Sequence, residues 1–266
     1  MHDLCADLRA EYDALAALCE TLTPGQWQHP SRFYGWTPWD EIAHLCFFDE
    51  TGLLAATDAD AFAANTRELM AQMAAGREAS QIARERFGHL DGAGLLALWR
   101  ARYAKLVHVL AARDPKDRLP WYGPTMSARS FATARLMETW AHGQDVYDVV
   151  AVRRTNSARL RHIAHLGVTT FGWTFVNRKL PVPEVAPWVE LRAPDGSLWT
   201  WGEPSATDYV RGSAEDFCLV VTQRRNVRDT ALEYAGAGAT AWLPIAQCFA
   251  GPPADPPAPG VRVVAY

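Results

Sequence analysis

Leu4, Leu8, Tyr12, Leu15, Cys19 and Leu22 recur at steps of three and four residues. That period lays one apolar stripe along an amphipathic helix. Thr23-Pro24-Gly25 stops the pattern, and a loop from Gln26 to Trp36 carries Pro30 and Gly35. Thr37 reads as an N-cap with Pro38 at the first helical position and Asp40 three residues after the cap. This predicts a second helix from Pro38 to about Ala56. The stretch from Asp58 to Phe87 is polar, alanine-rich and helix-permissive. Asp91 or Gly92 opens another helix that runs to about Ala112 and ends at Asp114-Pro115. Beyond a loop with Pro120, Gly123 and Pro124, Ser127 or Ser130 starts a helix ending near Val152. Four long helices with two long connections read as a helical bundle.

The pattern changes after Arg154. Residues 158–177 read as one further helix, and Pro181 to Pro187 as a breaker region. Val189 to Arg192 and Leu198 to Trp201 alternate around a Pro-Asp-Gly turn, a β-hairpin signal. Gly212 to Arg224 reads as helical, with Ala214, Phe217, Cys218 and Val221 on one side, and Thr240 to Ala250 as one more helix. Gly251 to Pro259 is proline-rich and predicts an extended tail. The expected fold class is therefore α+β. The expected domains are a helical bundle over residues 1–154 and a smaller α+β domain over 155–266 ending in the proline-rich tail.

With 266 residues there is ample material for a core, and a net charge of −4 argues against a general polyanion binder. No basic-aromatic stripe suggests nucleic acid either. The first residues carry acids and lack a signal-peptide pattern, and no window reaches the roughly 18 uninterrupted apolar residues of a membrane span. A cytoplasmic protein without membrane partners is expected. The five cysteines, at 5, 19, 46, 218 and 248, are odd in number and form no CxxC pair, so neither a disulfide framework nor a cysteine zinc site is suggested. Cys5 and Cys19 fall on or beside the apolar stripe as small core residues. Arginine greatly outnumbers lysine and alanine is abundant, as in the GC-rich genomes of actinobacteria.

The residues with chemistry to offer are His44, Glu138 and His142. Glu138-Thr-Trp-Ala-His142 puts a carboxylate and an imidazole at i and i+4, on one face of a helix. His44 falls in the second turn of the helix begun at Pro38. Two histidines and one carboxylate from two facing helices suit Zn²⁺, and equally Fe²⁺, Ni²⁺ or Mn²⁺, and three ligands leave a position open for catalysis. Spacing alone also fits an ordinary Glu–His neighbour pair and a core histidine. Asp145, three residues after His142, either orients a ligand imidazole, acts as a base or makes an ordinary hydrogen bond. Glu41, and more weakly Asp49, could reach the same pocket; an acid such as Glu41 also serves the helix dipole. His162 and His165 form a second histidine pair with no evident third ligand. Trp36, Trp39 and Trp140 flank the triad as core or pocket wall.

Gly35-Trp-Thr-Pro-Trp-Asp-Glu-Ile-Ala-His44-Leu, taken with Glu138-Thr-Trp-Ala-His142-Gly-Gln-Asp145, resembles the mycothiol-dependent maleylpyruvate isomerase family, the metal-binding branch of the DinB-like four-helix bundles. The resemblance implies that His44, Glu138 and His142 bind zinc. It also implies that mycothiol supplies a thiolate that adds to an activated double bond and leaves after rotation. Gly212-Ser-Ala-Glu-Asp216-Phe-Cys-Leu-Val-Val-Thr-Gln-Arg224 is similar to a helix in that family's sterol-carrier-like second domain, whose terminal arginine serves the active site. Arg224 is the matching residue, and the adjacent Arg225 competes for the role. The chain looks closer to an actinobacterial metal-binding side branch than to the isomerase itself. The expected function is a zinc-dependent isomerase or thiol transferase acting on a small organic substrate, as a monomer or homodimer. Two readings compete with it. A thiol-free metal hydrolase or hydratase would be active without thiol. A non-enzymatic ligand-binding protein would close its metal site with a fourth protein ligand.

Overall fold

The computed structural model describes residues 1–266, which divide into two compact units, Met1–Val150 and Ala151–Tyr266. In the first unit the apolar stripe forms α1 (His2–Glu20) and buries Leu4, Leu8, Tyr12, Leu15 and Cys19. Thr23 and Gln26 cap each other reciprocally and start a single-turn helix, α2 (Pro24–Trp27), where a loop was expected. Helix α3 (Pro38–Thr57) begins at the expected cap: Asp40 N donates to Thr37 Oγ1 at 3.3 Å, and Thr37 N donates to Asp40 Oδ2 at 2.9 Å. The polar stretch forms α4 (Ala59–Ala74) and α5 (Ala79–Phe87). Asp91 caps α6 (Gly92–Ala111), accepting from Gly94 N at 2.8 Å. Any Cβ on Gly92 would stand 2.3 Å from the Trp27 ring, so only glycine lets α6 start against that side chain. The proline loop carries a short antiparallel pair, β1 (Arg118–Leu119) and β2 (Met126–Ser127), and leads into α7 (Ala128–Val150).

Helices α1 and α3 each pack on both α6 and α7, which makes these four a bundle. Its centre is polar. Asp49 of α3, wholly buried, accepts from Tyr12 Oη of α1 at 2.6 Å, from Trp99 Nε1 of α6 at 2.8 Å and from Arg135 Nε of α7 at 2.9 Å. One carboxylate thus ties all four helices. Burial disfavours the Arg135 cation, but Asp49 and Tyr12 outweigh it and raise its pKa. The sequence reading allowed Asp49 a weak claim on the pocket; the structure places it in the core instead. Tyr12 stacks on Tyr103 at 4.6 Å, and Trp99 meets Tyr12 edge-on at 5.7 Å.

The second unit opens with α8 (Leu160–Thr169) and α9 (Phe171–Asn177), two helices where one was expected. The break falls at Thr170. The Thr169 and Thr170 hydroxyls both donate back to Leu166 O, at 3.1 and 2.8 Å, a bond that competes with continuation of the helix. The expected hairpin is present as β3 (Trp188–Arg192) and β4 (Leu198–Trp201), turning at Gly196, whose φ is +85°. Strand β5 (Tyr209–Ser213) runs parallel to β3, and after α10 (Ala214–Val221) strand β6 (Glu233–Ala235) pairs antiparallel with β5. The sheet order is β4-β3-β5-β6. The fold class is α+β, with a helical N-terminal unit.

The boundaries of the later elements also differ from those expected. Gly212 and Ser213 end β5 rather than open the helix; Ser213 Oγ caps α10 by accepting from Asp216 N at 2.9 Å. Helix α10 stops at Val221, so Arg224 and Arg225 lie beyond it. Gln223, with φ +58°, turns the chain so that Arg224 N and Arg225 N both donate to Leu219 O. The last helix, α11 (Ala237–Trp242), precedes most of the expected segment and gives way to a 3₁₀ turn at Leu243–Ile245, where Pro244 lacks an amide hydrogen. The proline-rich segment is extended but held to its unit. Gln223 Nε2 donates to Ala254 O at 2.7 Å, Asn226 Nδ2 to Pro257 O at 2.8 Å, and Gly260 N to the Asp229 carboxylate at 2.9 Å.

Removing one partner of a buried ion pair strands the other. Asp49→Ala is therefore expected to lower unfolding free energy by about 3–5 kcal/mol, measured by urea denaturation. A loss below about 1 kcal/mol, the range of an exposed pair, would show that the bundle does not depend on this carboxylate.

Candidate metal centre

The cap at Thr37 fixes where α3 starts, and so which face carries His44. Helix α7 runs unbroken through Glu138 and His142, which leaves both on one face. Across the two helices Glu138 Oε2 lies 3.2 Å from His142 Nε2 and 3.7 Å from His44 Nε2. The imidazole centroids are 4.2 Å apart. One donor atom from each of the three residues falls within 4.8 Å of the others. His142 is buried, whereas His44 and Glu138 are half-buried. Two imidazoles and one carboxylate at this spacing fit a divalent cation by donor type and by distance. Burial alone would raise the Glu138 pKa. Hydrogen bonds and charge from His142 and His44 outweigh it and hold that carboxyl well below the usual carboxylate range.

Two acids stand behind His142. Glu41 is wholly buried, with Oε2 2.6 Å from His142 Nδ1. Asp145 is also buried, and Glu41, His142 and Asp145 form a second group of donor atoms within 4.8 Å of one another. Asp145 thus lies beside the same imidazole as Glu41. The Glu41 contact spans two helices, and the only sequence signal for it was the one-turn spacing to His44.

Aromatic rings wall the site. Trp36 stacks on His142 at 5.8 Å and lies 5.5 Å from His44; Phe33 meets His142 edge-on at 5.6 Å, and Phe48 lies 4.7 Å from His44. Of the three tryptophans flagged from sequence, Trp36 lines the triad in this way. Trp39 is buried with Nε1 donating to Leu90 O at 3.1 Å, and Trp140 is buried in the core. Phe48, at i+4 to His44, fell on that histidine's apolar helix face in the sequence; Phe33 carried no sequence signal as a wall residue.

In the second unit Arg224 and Arg225 are both buried. Arg224 Nη1 donates to Thr222 O at 2.9 Å, Arg225 Nη1 to Arg224 O at 2.9 Å, and Arg225 Nη2 to Tyr266 Oη at 3.4 Å. His165 Nδ1 accepts from Trp201 Nε1 at 3.3 Å, so that ring serves a contact between α8 and β4.

All five cysteines are free thiols and buried, and burial pushes the Cys5, Cys19, Cys46 and Cys218 thiols up. Burial thus disfavours the reactive thiolate at those four positions. An aromatic disulfide reagent at pH 8 is expected to modify the native protein slowly and all five thiols at once in denaturant. A rapid first equivalent in the native state would reveal an accessible thiolate.

The arrangement defines a class: an α+β protein whose helical unit carries an open cluster of two histidines and one glutamate. The model of the mycothiol maleylpyruvate isomerase N-terminal domain matches residues 8–147, and the chain belongs to that family. An uncharacterized protein of Mycobacterium tuberculosis, found in two strains, is 45% identical over 249 residues, covering 93% of this chain and 95% of the relative. The crystal structure of the mycothiol-dependent maleylpyruvate isomerase shares the fold with a TM-score of 0.50 at 16% identity. A histidine-to-alanine mutant of it reaches 0.54 at 14%. Each alignment covers 82% of this chain and 87% of the other. No helix is long and apolar enough to cross a membrane.

Proposed function

We propose that this chain is a divalent-metal enzyme, with zinc the first candidate, that uses mycothiol as a thiol co-substrate to isomerise or transfer to a small organic substrate. The observation that carries the proposal is the convergence of His44, Glu138 and His142 at one half-open point. Family membership supports the thiol. A divalent cation bound there would supply Lewis acidity, lowering the pKa of a thiol or water brought to it. His44, Glu138 and His142 would hold the cation. Phe33, Trp36 and Phe48 present apolar faces that exclude water from the imidazoles and favour a partly apolar ligand.

In the isomerase reading, mycothiol, when bound, would supply a nucleophilic thiolate, the chemistry that makes an activated double bond reversibly free to rotate. Arg224 is the proposed holder of the substrate carboxylate, through paired N–H donors, with Arg225 the alternative. Asp145, buried beside His142, is proposed to help orient that ring. The bundle over residues 1–154 and the α+β segment over 155–266 are proposed as separate domains of a cytoplasmic monomer or homodimer.

Elemental analysis of the purified protein is expected to find about one divalent ion per chain, lost in His44→Ala and in His142→Ala. Full occupancy in the His142 variant would sink the assignment. With maleylpyruvate as the first substrate screened, turnover is expected to require mycothiol. Equal turnover without thiol would instead support a hydrolase or hydratase, and metal with no turnover a binding protein.

Arg224→Ala is expected to keep the metal and lower kcat/KM by about 10- to 100-fold, the worth of one charged hydrogen-bond pair. The same loss in Arg225→Ala, with Arg224→Ala unaffected, would transfer the role.

A further inference from the structure

We infer that Glu41 is a positioning residue for His142, holding its Nδ1 so that Nε2 is the nitrogen offered to the site. The inference rests on the reading of His44, Glu138 and His142 as metal ligands and adds a residue to it. Glu41 Oε2 is 2.6 Å from His142 Nδ1, while Nε2 of the same ring is 3.2 Å from Glu138 Oε2. The short contact commits Nδ1 to Glu41 and fixes the rotation of the ring, so Nε2 is the nitrogen turned toward Glu138 and His44. A cation bound there would replace the hydrogen that Nε2 shares with Glu138, while Nδ1 keeps its bond to Glu41.

Glu41 is not needed to cap its own helix. Asp40 does that with Thr37, and Asp40 also pairs with Arg84. Helix α3 therefore supplies His44 directly and, three residues earlier, the group that aims the imidazole of α7.

The test is zinc titration of the metal-free, full-length protein against a competing chelator, for wild type, Glu41→Gln and Glu41→Ala. Cobalt spectra and histidine-ring ¹⁵N NMR are recorded alongside. Gln keeps the shape and can still accept from Nδ1–H. It is expected to weaken binding about tenfold, and Ala about 100-fold, with native circular dichroism in both. The wild type is also expected to show a hydrogen-bonded, slowly exchanging His142 Nδ1–H signal, and the Ala variant to lose it. Unchanged affinity in both variants, with wild type binding one ion, would overturn the inference while leaving the metal site standing. Two ions in wild type falling to one in Glu41→Gln would make Glu41 a ligand and also overturn it. If wild type binds no ion, the metal reading fails, and the His142 Nδ1–H signal in wild type against Glu41→Ala still decides whether Glu41 orients His142.

Discussion

The buried contact between Asp49 and Arg135 is the constraint on which the helical unit depends. It joins α3 to α7 at 2.9 Å and, through Tyr12 and Trp99, draws in the other two long helices. It also sets a register. Asp49 faces Arg135, His44 faces Glu138 at 3.7 Å, and Glu41 faces His142 at 2.6 Å. These are three successive rungs of an antiparallel helix pair, spaced three to five residues apart. A slip of one turn, about 5.4 Å, would break all three together. The ion pair that costs desolvation in the core is thus the same feature that aligns the candidate donors.

Chemistry at the triad follows from what surrounds it. The Nδ1 side of His142 is closed by buried acids, and its Nε2 side meets Glu138 and His44, which are partly open. Trp36 stacks on one face of His142 and the rings of Phe33 and Phe48 pack beside the imidazoles at an angle, so a ligand approaching the donors meets apolar surface around a charged centre. Every cysteine of the chain is buried, and none belongs to the cluster of His44, Glu138 and His142. The family to which the chain belongs is described by a thiol, mycothiol.

The second unit reaches its order by other means. Its sheet joins a local hairpin to a strand, β5, that pairs in parallel with β3 from across a connection. Phe171 and Phe217 both meet Trp242 edge-on, at 5.2 and 5.7 Å, and build a core under the helices. Side-chain amides of Gln223 and Asn226 hold the proline-rich segment, which offers carbonyls but few amide hydrogens.

Local signals were legible in the amino-acid sequence. The apolar stripe of α1, the Thr37–Asp40 cap, the Asp91 cap and the Pro-Asp-Gly hairpin each lie within a few residues, and each took the form read from it. The pairing of Glu138 with His142 was equally legible, because i and i+4 are neighbours on any helix. Strand β5 was not, since Tyr-Val-Arg-Gly-Ser carries little alternation and becomes a strand through its parallel partner. Nor was the end of α10, where a left-handed Gln223 stops a helix whose composition would continue. The roles of Asp49 and Glu41 were decided by tertiary structure alone. Both are acids on one helix, and sequence gave Glu41 the stronger claim on the pocket without showing its partner. Only the packing of α3 against α7 sets one against an arginine in the core and the other against an imidazole at the site. Periodicity specifies which face of a helix is buried, whereas the partner met on that face depends on a register between segments some ninety residues apart.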